Sequence, residues 1–277
     1  MKNKTTNQDK YWIILIIGWI FVTYEYALRV SDSVILPQLQ EIFHLTPSNL
    51  SLLSSGYYFA YVIFMLPAGI IIDRIGLYRA WLVAIGILVF GSVLFSLSNN
   101  LEIFIIARVF MGVGSSFAVI GVFAQCVKSR YCGLLIGITM GMCMLGVILG
   151  QGPWSAVSSY LDSWSDTYRY SAIFGMIIWI AWLIYGRCSI SLVPVVLMNN
   201  IRLTLSQLFK SPIFYVLALF ICVLSTPQTV FMALWGPRYL SLFYHLPETM
   251  ASYINSLMSV GGLVGAIFLG WLSDITR

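Results

Sequence analysis

Apolar residues fall in eight long blocks along this chain, separated by short polar stretches. The first, Trp12 to about Leu36, follows a polar tail from Met1 to Lys10 that holds three lysines. The others lie at about Asn49 to Ile72, Ala80 to Ser98, Leu101 to Val127, Cys132 to Ser158, Tyr170 to Cys188, Ile213 to Trp235 and Met250 to Leu272. A helix that crosses a bilayer needs roughly 20 apolar residues, and each block is long enough, so eight spans are expected. The first block is too long for a signal-peptide core and no small-x-small cleavage site follows it, so it reads as a retained helix. Connections are short except Arg187 to Pro212, which carries Asn199, Asn200, Arg202 and Lys210 and marks a boundary between two bundles. The expected organisation is an all-α membrane protein: a six-helix bundle over 1–186, a cytoplasmic linker over 187–211 and a partial second bundle of two helices over 212–277.

Composition narrows the class. Of 277 residues 60% are hydrophobic and 9% charged, with a mean hydropathy of +0.90. A soluble enzyme, a nucleic-acid binder or a disordered scaffold needs far more surface charge, and the net charge of +5 is spread along the chain rather than gathered into a basic stripe. The distribution of lysine and arginine sets the orientation. With the amino terminus in the cytoplasm, the inner segments hold Lys2, Lys4, Lys10, Arg74, Arg79, Lys128, Arg130, Arg187, Arg202, Lys210 and Arg277, whereas the outer ones hold only Arg169 and Arg238. Both termini are therefore expected in the cytoplasm. Asp32, near the outer end of span one, is expected to be wet. Glu25, Arg29 and Arg108 remain inside predicted spans.

The chain also repeats itself. Shifted by 201 residues, His44-Leu45 falls on His245-Leu246, Ser55 on Ser256, Gly69 on Gly270 and Asp73 on Asp274. Span seven thus copies span one and span eight copies span two, the arrangement of transporters built from two six-helix halves.

Three segments carry a family resemblance. Gly69-Ile-Ile-Ile-Asp73-Arg74-Ile-Gly76-Leu-Tyr-Arg79 resembles the cytoplasmic signature loop of the major facilitator superfamily, Gly-x-x-x-Asp-Arg-x-Gly followed by basic residues. Gly270-Trp-Leu-Ser-Asp274 resembles its second-half copy, and Arg108-Val-Phe-Met-Gly112-Val-Gly114 resembles the Arg-x-x-x-Gly-x-Gly helix of span four. The surrounding wording is similar to bacterial phagosomal nutrient transporters and lysosomal dipeptide carriers. The resemblance implies a major facilitator type six-helix bundle plus the first two helices of a second bundle. The sequence ends on the second signature loop, so four helices of the second half are expected to be missing.

The buried charges are the candidate chemistry. Glu25 and Arg29 are one turn apart and can pair. A charge near the bilayer centre costs at least ~2.5 kcal/mol, so such residues normally face protein or a wet cavity. They form either a structural ion pair or a site in which Arg29 presents its planar fork to a substrate carboxylate and Glu25 couples a proton. The resemblance supports the second reading, since organic-anion members carry a helix-one arginine at the place of Arg29. Those members pair it with an acid in span four, where this chain has Ser115, which leaves Glu25 as the protonation candidate. Arg108 either hydrogen-bonds carbonyls of a neighbouring helix, with Gly112 and Gly114 allowing close approach, or faces the cavity. Ser54, Tyr58, Tyr61 and Met65 follow one helical stripe and Tyr57 lies on a second; one stripe lines the path, or the tyrosines pack between helices. In span seven, Ser225-Thr-Pro227-Gln228-Thr229 places polar groups around a proline, which can break the helix and free carbonyls where a cavity can use them, and Gln228 is the candidate contact from the second half. Gly69, Asp73, Arg74, Gly76, Arg79, Gly270 and Asp274 are expected to serve the conformational cycle. The Asp73 carboxylate can cap a helix amino terminus or pair with arginines across the interface between halves. Leu77 and Tyr78 depart from the loop pattern.

Glycines of span five (Gly133, Gly137, Gly141, Gly146, Gly150 and Gly152) mark close packing. The family's antiporter signature continues Gly-Pro where Gln151 follows Gly150 here, which favours a symporter or uniporter over an exchanger. Five cysteines, an odd number, show no disulfide framework or zinc spacing. No catalytic pattern, cofactor motif or metal site is present. The expected function is secondary active transport, by alternating access and with proton coupling, of a small carboxylate-bearing nutrient (an amino acid, short peptide or organic acid) across the inner membrane. Its partners are then that solute, a proton and the lipid bilayer, with no nucleic acid. The alternative is a truncated non-transporting remnant or a membrane assembly partner.

Overall fold

In a computed structural model of the chain, residues 2–44, 46–126, 129, 131–161, 163–187, 206–207 and 209–276 are described, the side chains of 2–10, 37 and 47 excepted. Most of the expected linker, 188–205 and 208, lies outside them, as do Cys188, Lys128, Arg130, Arg202, Arg277 and the side chains of Lys2, Lys4 and Lys10. Eight helical segments are long and apolar enough to cross a membrane: Tyr11–Leu36, Ser48–Ile75, Leu77–Ser96, Leu101–Cys126, Cys132–Leu161, Trp164–Tyr185, Pro212–Tyr244 and Glu248–Ile275. These are spans one to eight below. Among the described residues all regular structure is helical.

Helix ends depart from the hydropathy blocks because hydrogen-bonding chemistry, rather than apolarity, sets them. Span six begins at Trp164, well before Tyr170, since the Ser163 side chain accepts a bond from Asp166 N and starts the helix. Thr46 and Asn100 cap spans two and four in the same way. Spans two and three are joined by Gly76 alone, whose φ of 82° and ψ of 155° suit only glycine. The repeat is visible in the backbone. His44 and His245, which the 201-residue shift superposes, are the two non-glycine residues with positive φ among those described, at 50° and 55°. Each closes a helix in the left-handed conformation.

Spans one to six bury one continuous core. Trp81 of span three is its hub. The indole packs on Trp182 of span six at 4.8 Å between ring centroids and edge-on against Phe21 of span one, and its Nε1 donates to Phe117 O at 2.9 Å. A Cβ at Gly18 or Gly121 would run into the Trp81 ring, so small residues in spans one and four make room for the largest side chain.

Span five has two packing faces. Gly133, Gly137 and Gly141 meet Asp274, Gly270, Ala266 and Ile267 of span eight, whereas Gly146 and Gly150 meet Thr23, Tyr26, Ala27 and Val30 of span one. The glycine pattern is thus packing, as expected, and it makes span five the helix that ties the two halves together. Spans seven and eight are otherwise thinly covered by protein.

Candidate functional site

Glu25 and Arg29 lie one turn apart on the face of span one that looks toward spans two and four. Arg29 Nη2 donates to both oxygens of Glu25 at 3.1 Å, and the Tyr57 hydroxyl of span two donates to Glu25 Oε2 at 3.0 Å. The Glu25 side chain is fully buried, whereas that of Arg29 keeps 11% exposure. Its guanidinium faces the rings of Tyr26 and Tyr61 at 4.1 and 4.2 Å, a cation over two negative π-faces. Tyr61 also stacks parallel to Tyr57. Sequence reading named Glu25, Arg29, Tyr57 and Tyr61, and the structure brings them together. It missed Tyr26, although a residue three before Arg29 shares its face.

Asp32 is not wet. Its carboxylate is fully buried and takes a 2.8 Å bond from Arg108 Nη2. Arg108 also donates to two carbonyls of span one, Leu28 O at 2.9 Å and Arg29 O at 3.2 Å, and its guanidinium lies 4.8 Å from the Tyr57 ring. The bond to a neighbouring helix's carbonyls is thus present, with an ion pair added. Span one stops its first helix at Val30 and restarts at Asp32, so Arg108 fastens the joint between the two pieces. Gly112 allows the approach by lying against Tyr57 and Ala60 of span two, and Gly114 by lying against Ala84 and Leu88 of span three.

Around these pairs lie buried polar atoms without hydrogen-bond partners: Arg29 Nε, Arg108 Nε, Ser54 Oγ and Tyr58 Oη. Tyr58 stands edge-on to Tyr57. Orphaned buried polar atoms are uncommon, and several of them gather in this one region. Arg29 thus has one edge of its fork, the Nε side, free of protein partners. Met65, on the same stripe as Tyr58, is exposed.

Gln228 is not part of this group. It sits on an exposed stretch of span seven and reaches Met144 Sδ of span five at 3.3 Å. Pro227 does interrupt the α-helix, which ends at Thr226, but the chain winds on: residues Pro227–Trp235 form a π-helix, a form that often accompanies functional sites. Just before it, Ser225 and Thr226 bond back to Ile221 O and Cys222 O at 2.7 Å, using their hydroxyls locally. The π-helix leaves Met232 O to side chains from two other spans, Gln151 Nε2 of span five and Asn255 Nδ2 of span eight, each at 2.7 Å. Asn255 also donates to Gln151 Oε1 at 2.8 Å, and both amides are fully buried. Gln151 thus has a role that its mismatch to the antiporter pattern did not reveal.

With that geometry in hand, the relatives can be placed. The sequence profile of the Major Facilitator Superfamily matches residues 16–277. The chain belongs to this superfamily. It is 28% identical to an uncharacterized transporter, YybO, of Bacillus subtilis (strain 168) over 117 residues, covering 42% of this chain and 26% of that protein. It is 30% identical to the riboflavin transporter RibZ of Clostridioides difficile (strain 630) over 151 residues, covering 52% and 31%. In fold it resembles a bacterial homologue of the human lysosomal transporter Spinster in an inward-facing, occupied conformation, with a TM-score of 0.67 at 15% identity, over 89% of this chain and 57% of that one. The chain therefore spans little more than half of that solved relative, and its matched stretches cover about a third or less of the other two.

The two superfamily signature loops behave differently here. Asp274 accepts from Gly133 N and Leu134 N at 2.8 Å each, so its carboxylate caps the amino terminus of span five, where the helix dipole favours negative charge. Gly270 lies in contact with Gly133 and Gly137, which brings Asp274 within reach. Asp73 has no hydrogen bond or ion pair among the described residues, and a Cβ at Gly69 would meet nothing within 4 Å. Arg74 and Arg79 are exposed. Tyr78, a departure from the superfamily pattern, packs on Trp182, and its hydroxyl accepts from Arg187 Nε at 3.4 Å.

Proposed function

We propose that the protein is a proton-coupled secondary transporter of a small solute bearing a carboxylate: an amino acid, short peptide or organic acid. It works by alternating access in the inner membrane, with both termini in the cytoplasm. The observation that carries this reading is the buried Glu25–Arg29 pair with Tyr57 bonded to the same carboxylate. An arginine fork is matched to a carboxylate, and two carboxylates compete for one fork. When Glu25 takes a proton it loses its claim on Arg29, which turns to the solute's carboxylate, while the Tyr57 hydroxyl keeps the neutral acid in place. Release of the solute restores the ion pair as the proton leaves. Tyr26 and Tyr61 hold the guanidinium between these states, and their ring faces suit an aromatic or otherwise apolar solute body. Gly69, Asp73, Arg74, Gly76, Arg79, Gly270 and Asp274 serve the rocking of the halves, with Asp274 gripping span five in the state seen here.

The test is uptake into proteoliposomes, with and without a proton gradient, of labelled amino acids, dipeptides, small organic acids and riboflavin, the last because a relative carries it. Uptake of a carboxylate-bearing solute should follow the gradient in the unaltered protein. Glu25→Gln should lose the response to the gradient, and Arg29→Gln should lose uptake altogether. Gradient-driven uptake that persists in Glu25→Gln would remove Glu25 from the mechanism, and a preference for riboflavin over every carboxylate would replace the solute class.

A further inference from the structure

Span one carries more than the ion pair on its working face. Continuing from Glu25 and Arg29 in steps of three and four residues, the same stripe presents Ser33, Leu36 and Gln40, and Ser31 keeps helical dihedrals so that the face is continuous. Those three residues form one wall of a cavity of about 350 Å³. Leu50 of span two adds to it, and the other wall is Leu234, Trp235, Arg238, Tyr239 and Leu242 of span seven. The cavity therefore lies between the two halves, with Gln40 about 16 Å along span one from Arg29 at ~1.5 Å per residue. Its volume is in the range of small-molecule sites, and its walls are mostly apolar with few polar groups.

One of those polar groups is a guanidinium that makes no ion pair among the described residues. The two arginines expected on the outer side differ. Arg169 is exposed and paired with Asp166 at 2.7 Å, whereas Arg238 is half-buried and forms no ion pair among the described residues. The bond recorded for Arg238 is from Nη2 to the amide oxygen Gln40 Oε1 at 3.2 Å. Glu248 borders an adjoining small cleft that Arg238 also lines, with Ser33 and Ser252; its carboxylate feels the charges of Arg238 and Glu41 but makes no ion pair with Arg238, which leaves the guanidinium free to turn to a closer anion. The remaining guanidinium nitrogens and the Gln40 amide nitrogen can serve a ligand, and a guanidinium set in an apolar wall favours an anionic group over a neutral one.

We propose that this cavity is a second binding station, at the outer mouth of the path, for an amphipathic anion whose carboxylate docks on Arg238 and Gln40 and whose apolar body lies against Leu36, Leu50, Leu234 and Leu242. The assignment of this anion as the transported solute on its way to Arg29 rests on the transport reading above. Arg238 captures the anion where the halves meet, and the stripe of span one leads from there to the Glu25–Arg29 pair.

Dansyl-phenylalanine is a suitable probe, being an anion with an apolar body, and its uncharged amide is the control. Binding to the purified chain in lipid nanodiscs is read from dansyl emission excited through tryptophan, since Trp235 borders the cavity. Saturable binding is expected, weakened by about tenfold or more in Arg238→Gln, and to a similar degree for the amide on the unaltered chain, as loss of a charge-assisted contact predicts. Arg238→Lys, which keeps the charge, should retain most of the affinity, and the fall caused by Arg238→Gln should be just as large in an Arg29→Gln background, which removes any binding of the probe at the inner site. Equal affinity in Arg238→Gln, equal binding of the amide, or an Arg238→Gln effect that vanishes in the Arg29→Gln background would each overturn the proposal. Elution on gel filtration and tryptophan emission without probe verify that each variant is folded. Failure of the transport reading shows up separately, as uptake indifferent to Glu25→Gln and Arg29→Gln.

Discussion

Two arginines of this bundle, Arg29 of span one and Arg108 of span four, meet carboxylates of span one within two turns of each other and treat them differently. Arg108 is sealed: Asp32, Leu28 O and Arg29 O take its donors, and neither side chain of the ion pair is exposed. Arg29 is held by Glu25 and by the faces of Tyr26 and Tyr61, with some exposure and with no backbone carbonyl among its partners; Nε is unpartnered in both arginines. Backbone carbonyls cannot move without unwinding a helix, so the Arg108 pair is a fixed pin across spans one and four. A carboxyl group and aromatic faces hold a guanidinium less rigidly than helix carbonyls do, and in the transport mechanism proposed above the Arg29 pair is the exchangeable one. The same chemical pairing thus serves structure in one place and suits a changing occupant in the other, and the surroundings make the difference.

The sharpest way to break this contrast is at the sealed pair. Asp32→Asn leaves the Arg108 charge buried without an anion, and a loss of about 3–5 kcal/mol is expected, seen as a marked fall in the thermal midpoint of the purified protein. Glu25→Gln should cost less, about 1–2 kcal/mol, because two ring faces still hold the Arg29 charge; a loss equal to that of Asp32→Asn would mean that both pairs are structural. Tyr57→Phe removes one hydrogen bond to Glu25 and should lower stability by about 1 kcal/mol while leaving Glu25→Gln no further effect through that bond, a double-mutant cycle. The signature aspartates supply the smallest and most discriminating pair. Asp274→Asn should cost about 0.5–1 kcal/mol through the lost charge at the span five terminus, and Asp73→Asn should be neutral in this chain.

Much of the fold was legible because a bilayer leaves the chain few options. Every buried backbone group must be satisfied within its own helix, so apolar length alone placed eight spans. The 201-residue repeat likewise aligned His44 with His245, which the structure shows in the same left-handed conformation, and Asp73 with the second signature aspartate. Helix ends were misplaced where a short polar residue such as Ser163 starts a helix earlier than hydropathy suggests. Asp32 was misjudged for a related reason: its position near the end of an apolar block says nothing about Arg108, 76 residues away in sequence. Gln151, Asn255 and Arg238 carried no local signal at all, since an amide in a span or an arginine near a loop acquires its partners only when spans five, seven and eight or spans one and seven come together.

By itself the sequence determined the class, the span count, the repeat, the superfamily and the adjacency of Glu25 to Arg29, because each follows from hydrophobic length, from fixed spacing or from one turn of helix. Only the tertiary structure decided which arginine is sealed and which is open, that span seven winds as a π-helix around a carbonyl claimed by two amides, and that span five joins the halves. Those outcomes depend on what stands across from a side chain, and packing between distant segments, unlike periodicity along one, is not written in any single stretch of residues.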